Sequence, residues 1–200
     1  MLETELLIYQ KLRTLVSSWQ ASLVAFLWGF FEATLFFIVP DVFFCFTAVF
    51  SPRHGIRHSI ISILGSMPGG IIMYKLAQGH PLALNNFLTN IPGISERMVS
   101  VVHSDFQHFG LSALFLAPWK GIPYKIFAAQ AGILNISLIR FVIATFPARL
   151  ERMFLLVCLA AAVGKIFEKN IQKHTKAWIV FYIFLWFSFY YAYAFFLRIR

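Results

Sequence analysis

Residues 21–50 read ASLVAFLWGFFEATLFFIVPDVFFCFTAVF. Only Glu32 and Asp41 are charged in this stretch, and Pro40 stands immediately before Asp41. At about 1.5 Å of rise per residue, a run of this length and composition is long enough to cross the ~30 Å hydrocarbon layer of a bilayer. A proline inside a helix removes a hydrogen bond and clashes with the preceding turn, at a cost of about 3 kcal/mol or more. Two short helical halves meeting at a bend near Pro40–Asp41 therefore fit better than one straight span. The stretch reads as a re-entrant hairpin over about 21–50.

The composition of the rest of the chain agrees with a lipid solvent. The 200 residues are 60% hydrophobic, 18% aromatic and only 12% charged, with a mean hydropathy of +0.74. Soluble domains run at about 45–50% apolar and about 25% charged, so 24 phenylalanines in a chain of this size exceed what a water-facing fold can hide. This excludes an ordinary cytosolic enzyme, a disordered chain and a disulfide scaffold. The net charge of +9 is gathered in short clusters between apolar runs: Arg53/Arg57, Arg149/Arg152, Lys165/Lys169/Lys173/Lys176 and Arg198/Arg200. Such clusters flank membrane spans and meet anionic headgroups, which argues against a nucleic-acid partner. Cys45 and Cys158 sit in apolar runs without metal or redox spacing and read as small hydrophobes. The acidic start Met1–Glu5 lacks the bases of a signal peptide.

Residues 1–19 place Leu2, Leu6, Leu12, Leu15, Val16 and Trp19 at helical spacing among charges. They predict an amphipathic N-terminal helix, lying on the membrane or packing on the bundle. A membrane domain follows over 20–165. Pro52–Arg57 reads as a basic surface loop, and the apolar run Ser59–Ala77 carries Gly65, Pro68, Gly69 and Gly70, small residues that let membrane helices approach closely. Residues 78–108 are polar and form the main extramembrane connection, with room for a short helix. A second interrupted run follows, Leu111–Phe146, centred on Pro118-Trp-Lys-Gly-Ile-Pro-Tyr-Lys125. Its break at Gly121 and Pro123 defines a second hairpin over about 109–133, with Gly132 beyond it, and Pro147 with Arg149-Leu-Glu-Arg152 ends the run. Residues 166–200 are a basic linker and a C-terminal transmembrane helix, uncharged from Ala177 to Leu197.

The expected fold is an all-α integral membrane protein, a helical bundle with two opposed re-entrant hairpins in a pseudo-inverted repeat. Interrupted hydrophobic segments at matching positions of two halves point to a transporter's binding site. The first break is acidic and the second basic. Basic residues flank both ends of the last helix, so they leave its orientation open; the low net charge of 78–108 favours that connection outside.

A carboxylate in a span costs roughly 2.5–3.5 kcal/mol on insertion scales, so Glu32 is paired, protonated or wetted. It reads as a titrating or ligand-coordinating acid, or as a permanent partner of Lys120, Lys125 or Arg140. Asp41 either joins Glu32 in one cavity or caps the half-helix that follows it. Lys120 and Lys125 bracket Gly-Ile-Pro-Tyr and suit an anionic headgroup, or neutralise the two acids. Arg140 reads as a snorkelling side chain. His54/His58 and His103/Asp105/His108 show loose metal-ligand spacing without a third ligand set, so no metal is assigned. No phosphate loop, nucleophile elbow or zinc-protease helix occurs. The reading is of a protein that is not an enzyme and needs no cofactor.

Three stretches resemble the DedA family, also called VTT-domain or SNARE-associated membrane proteins. They are Phe31-Glu-Ala-Thr34 through Ile38-Val-Pro-Asp41; Gly65-Ser-Met-Pro-Gly-Gly70 with Tyr74 and Gly79; and Lys120-Gly-Ile-Pro-Tyr-Lys125 followed by Ala131-Gly132 and Arg149-Leu-Glu-Arg152. The likeness covers about residues 20–165 and is closest to a small subgroup with a Pro-Tyr-Lys hairpin. Typical members carry arginine where Lys120 stands and another six residues on, where this chain has Ile126. The resemblance implies a bacterial inner-membrane protein with two opposed re-entrant hairpins, whose partners are membrane lipids. It also implies movement of undecaprenyl phosphate or a phospholipid between leaflets, with protons as the coupling ion. The role of the family's arginine pair falls to Lys120 and Lys125, shared with Arg149 and Arg152. The alternatives are a proton-coupled exporter of small ions or drugs, and a structural membrane protein whose buried charges only stabilise the fold.

Overall fold

Among apolar surroundings a chain satisfies its backbone hydrogen bonds within each segment, and the apolar runs here become helix. The computed structural model describes residues 2–199, and the side chains of all of these except 117, 118 and 196–199. The helices are α1 (Leu2–Val16), α2 (Trp19–Glu32), α3 (Asp41–Phe50), α4 (Pro52–Gly79), α5 (Pro81–Thr89), α6 (Glu96–Phe109), α7 (Ala113–Lys120), α8 (Tyr124–Ile133), α9 (Leu138–Ile166), α10 (Glu168–Lys173) and α11 (Thr175–Ile199). Two helices are long and apolar enough to cross a membrane, α4 and the Thr175–Phe195 part of α11. The α1–α2 pair, bent by 63°, makes a third if it counts as one span.

The bundle is organised around α4. A Cβ at Gly29 would strike the Ser62 carbonyl, and one at Gly65 the Phe26 carbonyl, so α2 and α4 cross backbone to backbone. Ser22 beside His58 at one end and Ala33 beside Gly69 at the other continue the same register, and the two helices run parallel. On α3, Ala48 meets Gly55 and Phe43 stacks on His58 with ring centroids 5.5 Å apart, so α3 runs antiparallel to α4. The chain therefore reverses between Glu32 and Asp41. Trp28 bridges that reversal: its Nε1 donates to the Ile38 carbonyl at 3.0 Å and its ring stacks on Phe43.

α8 runs parallel to α4, with Gly70 against the Tyr124 hydroxyl and Gly132 against the Tyr74 carbonyl. α9 returns antiparallel to α8, with Tyr124 stacked on Phe141 and its hydroxyl 3.2 Å from that of Thr145. Ile126, Phe127, Ala128 and Ala129 of α8 are completely buried between α4, α6 and α9.

Four expectations change. Pro52–Arg57 is not a loop: proline at N1 loses no hydrogen bond, and α4 begins there. α9 runs through Pro147 as α4 runs through Pro68. Each proline leaves one carbonyl four residues earlier without a helical donor, which long helices held by neighbours absorb. Residues 78–108 hold two helices rather than one, α5 and α6, the second capped by the Ser95 hydroxyl accepting from the Met98 N–H at 3.3 Å. The second break does not start at Pro118, because α7 continues to Lys120; Gly121, in the left-handed region at φ 66°, stops it. The side chains of Arg198 and Arg200 lie outside the described residues.

Candidate functional site

Both chain breaks open onto one cavity of about 610 Å³, closed on other sides by α9 and α11. Its floor is charged. Glu32 is the last residue of α2 and Asp41 the first of α3, so the reversal of the chain brings them to one place. Lys125 is the second residue of α8, where Pro123 sets the start of the helix. Arg149 and Arg152 lie three residues apart on α9, the spacing that puts both on one face.

Arg149 Nη2 donates to Glu32 Oε2 at 2.8 Å, and its guanidinium lies over the Tyr124 ring, 4.6 Å from the centroid. Arg152 Nη2 donates to Asp41 Oδ2. Lys125 is 1% exposed and donates from Nζ to the Phe36 carbonyl, in the first break, at 2.6 Å. The buried Asp41 Oδ1 and Arg149 Nε have no hydrogen-bond partner. Three cations against two carboxylates leave one positive charge uncompensated around the cavity. The amino end of α8 adds its partial positive charge beside Lys125. Opposite this floor stand aromatic side chains of α11, Trp186, Phe189, Tyr190 and Tyr193. One side suits a solvated anion and the other a hydrocarbon.

The structure brings Glu32, Asp41, Lys125, Arg149 and Arg152 together and leaves Lys120 elsewhere. Lys120 points to α6, where its Nζ lies 2.7 Å from both carboxylate oxygens of Asp105. Glu32 is thus paired with neither Lys120, Lys125 nor Arg140, but with Arg149; Arg140 is exposed. Pro40 is the residue before α3, while Gly121 and Pro123 flank the second break. Gly65, Gly69, Gly70 and Gly132 lie at the contacts of α4 with α2 and α8. Sequence reasoning met Asp105 only as a loosely spaced metal-ligand candidate and missed its pairing with Lys120, the role of Tyr124 and the aromatic wall. The wall had a signal, because Tyr182, Trp186, Tyr190 and Tyr193 recur at helical spacing on one face of α11. Among the described residues no three of His, Cys, Asp and Glu gather as a metal site.

Fold and site together define an all-α membrane protein with a charged cavity at two chain breaks. The chain belongs to the same family as an uncharacterized protein of Haemophilus influenzae, to which it is 30% identical over 148 residues, 72% of this chain and 74% of that one. It is also similar to an uncharacterized protein of Histophilus somni, 34% identical over 68 residues, or 34% of this chain and 36% of the other. No family model and no solved structure matches it.

Proposed function

We propose that the protein is a membrane transporter of the DedA type, moving a lipid with a phosphate headgroup between the leaflets of a bacterial inner membrane. In this reading α2–α3 and α7–α8 are two opposed re-entrant hairpins whose tips meet at the cavity, the two halves forming a pseudo-inverted repeat. The observation that carries it is the surplus cation: a buried, otherwise paired cluster keeps one uncompensated positive charge beside an aromatic wall. Among the groups of this cluster, Lys125 has only a neutral carbonyl as partner, so a phosphate exchanges that contact for a charge-assisted one. The ligand's negative charge then competes with Glu32 and Asp41 for Arg149 and Arg152. A proton on either acid frees its arginine for the ligand, which links proton and lipid movement.

Leaflet exchange of labelled undecaprenyl phosphate and of common phospholipids in liposomes tests the reading, with and without a pH gradient. The expected result is gradient-dependent movement of one lipid, lost in Glu32→Gln and in Lys125→Met. Movement that ignores both the gradient and Glu32→Gln makes the protein a passive scramblase. No movement by folded protein sinks the lipid reading. Both acids having arginine partners favours one competing reading, a structural membrane protein whose charges lock the fold. That reading requires the charge-swapped pair Glu32→Arg with Arg149→Glu to retain full function.

A further inference from the structure

The last helix is attached to the bundle in two different ways along its length. At its base the attachment is firm. Thr175 is completely buried and donates to the Glu5 carbonyl at 3.1 Å, while the Lys176 N–H donates to Glu5 Oε2 at 2.9 Å. Trp178 packs on the cluster of Tyr9, Val16, Phe50 and Ile171. Farther along, Phe181, Phe184, Phe187 and Tyr191 are more than half exposed.

That distal part is held by the rings of Tyr182 on Phe46 and of Tyr190 on Phe37, and by a row of tyrosine hydroxyls on the backbone of the interrupted segments. Tyr182 Oη donates to the Val42 carbonyl at 2.7 Å, in the first turn of α3. Tyr190 Oη accepts from the Val39 N–H at 2.9 Å, within the first break. Tyr193 Oη reaches the Gly121 carbonyl in the second break at 3.4 Å and the Gly93 carbonyl at 3.5 Å. Between these latches Trp186 and Phe189 face the cavity. Among the described residues no glycine-based helix–helix interlock of the kind seen at Gly29–Gly65 secures this wall.

We propose that α11 is a side door of the cavity, hinged at Thr175 and latched by Tyr182, Tyr190 and Tyr193, through which the hydrocarbon chain of an amphipathic anion enters from the bilayer. Each neutral hydrogen bond contributes on the order of 1 kcal/mol, so the latch is strong enough to close the cavity and weak enough to open thermally. Because Tyr190 holds one break and Tyr193 the other, opening releases both breaks together. The chemistry of the entering chain rests on the lipid reading above; the hinge and latch do not.

The test uses the full chain with Cys45→Ala and Cys158→Ser, reconstituted in phosphatidylethanolamine–phosphatidylglycerol liposomes. Ala148→Cys, buried in the cavity wall, reports access through its labelling rate with a maleimide that partitions into bilayers. Tyr190→Phe with Tyr193→Phe is expected to speed labelling about tenfold. A short, reducible crosslink between Phe37→Cys and Tyr190→Cys, whose rings lie 5.6 Å apart, is expected to stop labelling until it is reduced. The same crosslink at the base, Glu5→Cys to Lys176→Cys, is expected to leave the rate unchanged. Labelling that is indifferent to the distal crosslink and to the tyrosine substitutions overturns the door. A door that opens and closes as described in a protein that moves no lipid leaves this inference standing and removes the lipid reading.

Discussion

Glu32 and Arg149 are separated by 117 positions in the chain and by 2.8 Å in the fold. Their side chains are only 7% and 11% exposed, so each depends on the other for the compensation that water supplies elsewhere. Removing one member of such a pair strands its partner and destabilises by about 3–5 kcal/mol. Lys120 and Asp105 make an equally short contact, but the Lys120 side chain is 37% exposed and solvent screens it. Arg149→Ala is therefore expected to lower the thermal unfolding midpoint in detergent far more than Lys120→Ala, which shifts stability by less than about 1 kcal/mol. Glu32→Gln keeps an oxygen for Arg149 and is expected to fall between them. Of the two charge swaps, Glu32→Arg with Arg149→Glu recovers most of the folded yield, while Glu32→Lys with Lys120→Glu recovers none. Equal loss from Arg149→Ala and Lys120→Ala would contradict the assignment. The acids were legible in the sequence because a carboxylate in an apolar run demands an explanation. Their partners were not, because Lys120, Lys125, Arg140 and Arg149 all sit in or beside one apolar stretch and only the fold separates them.

Helices reveal a similar division between what a local pattern carries and what it does not. The glycines of α4 were readable as a close-packing stripe, but Gly29 looked like one more small residue in α2 until the two helices crossed at it. The proline breaks were half readable. Pro40 and Pro123 border real interruptions, whereas Pro68, Pro118 and Pro147 lie within helices. Proline disfavours a helix locally by a fixed amount, and packing on both flanks overrides it within α4 even though Gly69 and Gly70 follow Pro68. The crossing makes a sharp contrast between two glycines of one helix. A Cβ at Gly65 meets the Phe26 carbonyl, which is backbone and moves only with all of α2. At Gly79, which is exposed, a Cβ meets nothing within 4 Å. Gly65→Ala is expected to destabilise by about 1–3 kcal/mol as an overpacked contact. Gly79→Ala is expected to stabilise by about 0.5–1 kcal/mol by restricting the unfolded chain. Unfolding midpoints of the two variants, measured side by side, check the crossing; equal effects would refute it.

For the whole molecule, the fold sorts charges that the sequence left ambiguous. Tyr9 of α1 reaches Glu168 of α10 at 3.5 Å, Glu5 binds the start of α11, and Ser17 meets His54 near the start of α4 at 3.4 Å. Gly164, near the end of α9, abuts Val49 near the end of α3. These contacts place the base of α11 at the same end of the bundle as the termini of the other long helices. Eight basic residues gather there: Lys11, Arg13, Arg53, Arg57, Lys165, Lys169, Lys173 and Lys176. The far end, with α5 and α6, holds Lys75, Arg97, Lys120 and Arg140 among the described side chains. Read along the chain, α11 has bases before and after it and indicates no orientation; read in the fold, the described side chains favour the base of α11 by eight to four, Arg198 and Arg200 lying outside that count. Lysine and arginine near the ends of spans are retained on the cytoplasmic side. The α1–α10 end is therefore expected to face the cytoplasm, with α5 and α6 across the membrane from it. Single cysteines at the exposed Lys11 and Asn86, in a chain without Cys45 and Cys158, check this with an impermeant maleimide on whole cells. Asn86→Cys is expected to label in intact cells and Lys11→Cys only after disruption. The reverse pattern would invert the molecule.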